Sequence, residues 1–386
     1  MSHTKDFVLR DNEMYDFVTH GIIGASVENG LVENNDMHDI GFTDIQCYGI
    51  AMSRSKGTLT DRPRTKDVLI TGNRVSNNPH WEGIDTHAGE NIRIVNNIVK
   101  DCKLGIITTR DSDNDLGPIN CIASENVIER IDLSTNEVRA GLQCVGGYST
   151  NEYAENCKLI NNTVIGYGEK GSEIPSRSAA VYVSTANNFE CSGNIIKNNG
   201  MNGIYLDIIG ENVNIFNNTI IGDESNSGKA ITVHRSGGLC TGKIDANVIK
   251  NANTGIYFTS VATGMHMGKN YNEATIPYDQ AGGVYANQYV GNIDVVAEDM
   301  IANDFGSIPA GGYESFTTGP IDGVNAIQAV SFGVNRDLNG LIMQAKCNGI
   351  QGSTTQGTIT FTLYNNTDSA VDLYTLNIRY KVFQAI

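Results

Sequence analysis

The stretch Trp81-Glu82-Gly83-Ile84-Asp85-Thr86-His87 gathers two carboxylates and an imidazole beside the only tryptophan of the chain. Carboxyl and imidazole groups are the usual carriers of general acid–base chemistry near neutral pH. If this stretch is extended, Asp85 and His87 project to the same side of the strand, because alternate residues share a face. Further on, Arg110-Asp111-Ser112-Asp113-Asn114-Asp115 adds an arginine and three more acids, and Asp207 with His234 makes a second carboxylate–imidazole combination. His3, His20, His38 and His266 have no evident partner in the sequence.

These residues are embedded in a repeat. Asn73-Arg74-Val75, Asn97-Ile98-Val99, Asn126-Val127-Ile128, Asn162-Thr163-Val164, Asn194-Ile195-Ile196, Asn218-Thr219-Ile220 and Asn247-Val248-Ile249 follow one another at intervals of 24, 29, 36, 32, 24 and 29 residues. A short alternating stretch precedes each Asn, as in Val68-Leu69-Ile70 or Ile92-Arg93-Ile94. A second one leads to Gly49-Ile50, Gly83-Ile84, Gly105-Ile106, Gly141-Leu142, Ala180-Val181, Gly203-Ile204, Ala230-Ile231 or Gly255-Ile256. Three short strands per unit, with tight turns and no helical period, predict an all-β chain built on a right-handed parallel β-helix. Coils stack at the inter-strand spacing of about 4.8 Å, so eight or so would extend roughly 40 Å. The recurrent Asn has a structural role, since it tolerates left-handed backbone and stacked Asn side chains hydrogen-bond from coil to coil.

The pattern divides the chain. Weak coils reach back to about Asn12, through Gly21-Ile22 and Ile40-Gly41-Phe42, without an amphipathic capping helix. An uncapped solenoid exposes a strand edge, so the expectation is that the chain starts inside a longer protein or that another subunit covers this end. The β-helix is assigned to residues 1–270 and a transition to 271–296. From 297 to 386, longer alternating strands such as Thr358-Ile359-Thr360-Phe361-Thr362-Leu363-Tyr364 predict a small β-sandwich.

Composition narrows the function classes. A net charge of −16 argues against nucleic acid or an anionic membrane surface as the main partner. No uninterrupted apolar run is long enough to span a bilayer, and the N-terminus lacks the apolar core of a signal peptide. The eight cysteines show no CxxC spacing, and Cys47, Cys102, Cys144, Cys157, Cys191 and Cys240 fall inside repeats. They read as small buried apolar side chains, which suits folding in a reducing cytoplasm.

The Asn-x-Val/Ile and Gly-Ile coils, followed by a short sandwich with Thr358-Ile359-Thr360-Phe361-Thr362-Leu363-Tyr364-Asn365-Asn366-Thr367, resemble a bacteriophage tailspike of the pectate-lyase-like β-helix type. The resemblance covers nearly the whole chain and concerns architecture, not a particular reaction. It implies a homotrimer on the virion tail, assembled in the host cytoplasm and acting at the cell surface on a bacterial glycan, capsule or O-antigen. It also implies an upstream virion-attachment region or tail protein, and a C-terminal domain serving trimerisation or host recognition.

Residues at equivalent offsets from each Gly then line up across coils. One row reads Ala51, Asp85, Ile107, Gln143, Tyr182, Tyr205, Thr232, Tyr257; the next reads Ser53, His87, Thr109, Val145, Ser184, Asp207, His234, Thr259. Such a face suits a sugar-binding groove, with Trp81, Arg54, Arg110, Gln143, Tyr182, Tyr205, Asp207, His234 and Tyr257 as contacts. The tyrosines serve equally as strand formers or subunit contacts. Insertions at 110–118, 132–139 and 166–178 flank this face, where function collects.

Two chemistries fit. A glycosidase needs two carboxylates about 5 Å apart for retention or 6.5 to 9.5 Å for inversion, which Glu82 or Asp85 with Asp111 or Asp113 from the next coil would supply. A lyase or a teichoic acid phosphodiesterase would use His87 as base or acid, with Arg54, Arg110 and Arg235 neutralising the anion. No cofactor is required, although Asp85, Asp111, Asp113 and Asp115 would suit a cation such as Ca²⁺. The alternatives are a solvated salt bridge on a sheet face and a receptor-binding spike without catalysis.

Overall fold

The computed structural model describes the chain except residues 42–45, 55–56, 112, 132–139, 148–151, 169–177, 200, 208–209, 223–227, 235–239, 260–264, 281–292, 306, 323–328, 335–337, 339–340, 350–355, 366, 373–374 and 386. Two units divide at Ala286 and Asn287. Among the described residues no helix is long and apolar enough to cross a membrane.

The first unit is a parallel β-helix with three strand series. One is a ten-stranded sheet running from Lys5–Arg10 through Glu28–Glu33, Lys66–Thr71 and Arg93–Val95 to Met265–Met267. A second series starts at Glu13–Tyr15 and Asp36–His38, and a third at His20–Ala25 and Tyr48–Ser53. Two long strands, Arg74–His87 and Ile98–Thr109, run through both of these series and join them. Pairing continues past Asn270, where Tyr271–Asn272 lies on Val248–Lys250 and Ile276–Gln280 on Thr254–Phe258. The coil grammar therefore outlasts its Asn signature, because strand pairing needs only backbone groups.

The residue after each Gly-equivalent points into the coil. Ile50, Ile84, Ile106, Leu142, Val181, Ile204, Ile231 and Ile256 are all fully buried in one core cluster. Each buries a complete branched side chain, on the order of 1.5–3 kcal/mol of hydrophobic stabilisation apiece.

The Asn ladder is continuous. Side-chain amides donate coil to coil from Asn12 through Asn35, Asn73, Asn97, Asn126, Asn162, Asn194, Asn218 and Asn247 to Asn270, at 2.8–3.0 Å. From Asn35 onward each Oδ1 also accepts a backbone N–H of the neighbouring coil, as Asn162 does from Asn126 at 3.1 Å. Left-handed backbone, expected at these Asn, is found one residue earlier instead: Asn34, Gly72, Asn96, Glu125, Asn161, Gly193, Asn217 and Ala246 have φ between 53° and 66°. The turn is made by that preceding residue, which frees the ladder Asn to turn its amide inward.

Seven cysteines, Cys47, Cys102, Cys121, Cys144, Cys157, Cys191 and Cys347, are buried free thiols. Burial pushes the Cys102 and Cys191 thiols up to about 12. They act as small core side chains.

In the second unit, Thr375–Ala385 pairs antiparallel with Ile293–Asp304 and Ala329–Val334, while Gln356–Asn365 pairs antiparallel with Tyr313–Thr317, Ile321–Asp322 and Leu341–Gly349. Ile359, Phe361 and Leu363 of one sheet share a core with Ile378, Tyr380 and Val382 of the other.

Candidate functional site

Strand register aligns Ala51, Asp85, Ile107, Gln143, Tyr182, Tyr205, Thr232 and Tyr257 in one row. Beside it, His87 pairs with Thr109, and Val145, Ser184, Asp207 and His234 pair in succession. This is the alignment that the Gly spacing predicts. The exposure differs from expectation. Asp85 and Ile107 are fully buried, Tyr182 keeps 4% and Tyr205 8% of their surface, and only scattered positions of the row reach water.

Glu82, Asp85 and His87 converge. One ligand-type atom from each lies within 4.8 Å of the other two, and this is the one such His/Cys/Asp/Glu group among the described residues. Local distortion brings Glu82 there. Asn78 pairs with Cys102 and Glu82 with Leu104, so three residues on one strand face a single residue, Lys103, on the next. Such a bulge re-aims a side chain that regular alternation would send elsewhere. Asn78, itself fully buried, holds the bulge: its amide donates to the carbonyls of Cys47 and Glu82, each at 2.9 Å, and its oxygen accepts from the Cys47 thiol and the Trp81 N–H.

Asp85 is clamped from the preceding coil. The Ser53 hydroxyl donates to Asp85 Oδ2 at 3.0 Å and accepts the His87 backbone N–H at 3.0 Å. Asp85 Oδ2 also stands 3.4 Å from His87 Nε2. Burial pushes the Asp85 carboxyl above its usual range; the His87 charge, the Ser53 hydroxyl and the Glu82 carboxyl pull it back only in part. A surface salt bridge on a solvated face is therefore ruled out for Asp85. Tyr48, paired in register with Glu82, closes the N-terminal side of the group. Its phenol is held above its ordinary value by burial and by the charges of Glu82 and Asp85, so it remains a hydrogen-bond donor. His20 stacks edge-on against Tyr48 at 5.3 Å, and Tyr48 against His87 at 6.5 Å. Trp81 leans on the coil core, with Lys103 Nζ 5.7 Å from its ring centre.

The next loop does not join this group. Asp111 forms an ion pair with the Arg54 guanidinium, whose side chain is completely buried. Arg54 Nε also donates to the Arg62 carbonyl, and Asp111 accepts from the Asp113 N–H and the Asn114 amide. Arg110 is paired with Asp115 at 2.5 Å, and Asp113 is exposed. Asp111, expected as the second carboxylate, and Arg54 and Arg110, expected as anion contacts, are thus engaged in holding the loop. Arg235, Ser112 and the segments 132–139 and 169–177 lie outside the described residues.

Farther along the stack, the Tyr182 hydroxyl donates to Asp207 Oδ2 at 3.2 Å, and Asp207 Oδ1 lies 2.9 Å from His234 Nδ1. Tyr205 stacks on Tyr182 at 6.0 Å and tilts against His234 at 6.0 Å. Tyr182 and Tyr205 belong to a satellite core with Ala140, Val145 and Ala179, so their rings support Asp207 and His234 rather than offering an open platform. Lys229 Nζ sits 3.7 Å from the Tyr257 ring centre. Gln143, Tyr257, Asp207 and His234 retain partial exposure.

Solved chains to which this one is similar include phage tailspikes. The Pseudomonas phage phi297 tailspike aligns over 96% of this chain and 62% of its own, with 11% identity and a TM-score of 0.47. A mutant of the E. coli bacteriophage HK620 tailspike in complex with pentasaccharide aligns over 96% and 76%, with 10% identity and a TM-score of 0.45. Another HK620 mutant complex gives 99% and 65%, 12% and 0.47. The chain thus spans less than two thirds of the phi297 protein. No family model and no curated protein matches the sequence. The β-helix stands on this chain's own strand register.

Sequence reasoning missed Tyr48, Ser53, Asn78 and Lys229. Ser53 was visible as the neighbour of His87 in its row. Asn78 was not, because its role depends on a bulge that no periodicity announces.

Proposed function

We propose that this chain is the glycan-processing part of a phage tailspike, binding a bacterial surface polysaccharide, capsule or O-antigen, and cleaving a glycosidic bond at Glu82, Asp85 and His87. The observation that carries the reading is the convergence of these three side chains from one strand, with Asp85 fully buried and His87 partly exposed.

Their roles divide by exposure. Asp85 has a side-chain exposure of 1% and His87 of 29%, so His87 is the group that meets substrate and Asp85 is the positioning residue. The Asp85 carboxylate, 3.4 Å from Nε2, orients the ring, and an imidazole near neutral pH acts as general acid or base. Glu82 stands beside the pair, and Tyr48 is a donor next to it. Gln143, Asp207, His234 and Tyr257 serve as further sugar contacts along the stack.

A two-carboxylate mechanism across neighbouring coils is less well supported, since Asp111 is bonded to Arg54 and Glu82 and Asp85 share one strand. The teichoic acid reading loses support for a related reason: Arg54 and Arg110 are neutralised by Asp111 and Asp115. In the proposed setting the chain works as a homotrimer on the virion tail, joined through an upstream region or tail protein.

The test is mass spectrometry of products after incubation with purified capsules, O-antigens and teichoic acids. Products one water heavier than the repeat unit mean hydrolysis, and ultraviolet-absorbing products at the bare repeat mass mean elimination. Phosphomonoester ends would replace the reading with phosphodiester cleavage. A polymer that binds and stays intact would leave a receptor-binding spike.

A further inference from the structure

We propose that Glu82, Asp85 and His87 form a three-ligand site for a first-row divalent cation, zinc or manganese. The inference goes beyond the cleavage reading, because ion binding is measurable without any glycan.

Three features carry it. First, the donor set is two carboxylates and an imidazole whose ligand-type atoms lie within 4.8 Å of one another. Around a tetrahedral ion with bonds of about 2.0–2.1 Å, ligand atoms stand roughly 3.3 Å apart. Asp85 Oδ2 and His87 Nε2 already meet that spacing at 3.4 Å, and the Glu82 donor lies within 4.8 Å of the other two. Second, Asp85 is fully buried and its Oδ1 has no well-aligned hydrogen bond, while Ser53 holds its other oxygen. His87 Nε2 is likewise buried without a well-aligned hydrogen bond. Buried polar atoms in native proteins are nearly always satisfied, and a cation held by Nε2 and chelated by both Asp85 oxygens supplies what these two lack. Third, Ser53 fixes Asp85 and Asn78 fixes the bulge that carries Glu82, the kind of outer support that ligands require.

The donor chemistry selects the ion. Ca²⁺ takes six to eight oxygen ligands and Mg²⁺ prefers oxygen and water, whereas a mixed imidazole–carboxylate trio suits zinc or manganese with a position left open. The acidic loop is no competitor, since Asp111 and Asp115 are paired with arginines.

The experiment uses the full chain, stripped with chelator and dialysed. Zn²⁺, Mn²⁺, Ca²⁺ and Mg²⁺ are titrated in separate calorimetric runs, and bound metal is counted by inductively coupled plasma mass spectrometry. One zinc or manganese per chain is expected, weakened at least about tenfold in Glu82→Gln, Asp85→Asn and His87→Ala. Asp207→Asn and His234→Ala, at the other carboxylate–imidazole pair, keep full binding. Melting of each stripped variant separates lost ligation from lost fold. No stoichiometric binding, or binding that survives His87→Ala in folded protein, overturns the proposal. Polymer cleavage by ion-free protein would remove any need for the ion while leaving the cleavage reading intact. A bound ion with no polymer cleaved would do the reverse.

Discussion

Asp85 and His87 are two residues apart on one strand and 3.4 Å apart between Oδ2 and Nε2, yet the first is sealed from water and the second reaches it. That asymmetry lets a buried carboxylate set the orientation of an imidazole that works at the surface.

His87→Ala should therefore lower glycan cleavage by about 10²–10⁴-fold with little change in affinity for the polymer. Asp85→Asn should lower turnover as well, and alter its pH profile more than its KM. Rates on a cleaved polymer, with binding measured separately, decide this; full activity in both variants would place the chemistry elsewhere.

Asp85 also predicts a pH dependence of stability. Its folded carboxyl binds protons more tightly than the unfolded one, whose ordinary value is 3.8. The folded state therefore holds more protons above that value, and stability falls as pH rises through the folded pKa. In chelator-treated protein, Asp85→Asn should be as stable as the native chain at about pH 4 and more stable at neutral pH. A native chain that gains on the variant over this range would contradict the burial argument.

Arg54 should behave as a structural residue. Its guanidinium is buried against Asp111, and removing one partner of a buried pair costs about 3–5 kcal/mol. Arg54→Ala is expected to lose that much in denaturant unfolding, and glycan affinity measured well below its melting temperature should persist. Normal stability with lost affinity would return Arg54 to the substrate.

The left-handed turn residues offer a test independent of function. Ala246 holds φ 53° ahead of Asn247, a conformation that costs a non-glycine residue about 1–2 kcal/mol. After the entropy that glycine loses on folding, Ala246→Gly should gain roughly 0.5–1 kcal/mol. Gly193→Ala should lose stability, because a Cβ there would meet Asn161 Oδ1 at 2.2 Å. Thermal melts of the pair that moved in the same direction would show that φ is not what governs these turns.

The architecture was legible because it is written locally and repeated. Gly-Ile places one side chain in each coil, Asn-x-Val/Ile places the ladder, and backbone pairing carries the register from Ala51 to Tyr257. Even so, the turn geometry was misplaced by one residue, since Asn suits both the left-handed position and the ladder and only the backbone tells them apart.

The sequence by itself determined the coil repeat, the inward row and the shared strand of Glu82, Asp85 and His87. Tertiary structure decided which polar groups are solvated and whom they pair with. Arg54 finds Asp111 across 57 residues, Asp85 is closed off by Ser53 from the coil before, and Asn78 turns a regular strand into a bulge. The physical reason is that alternation fixes the direction of a side chain, whereas burial and electrostatics depend on what neighbouring coils and loops bring against it.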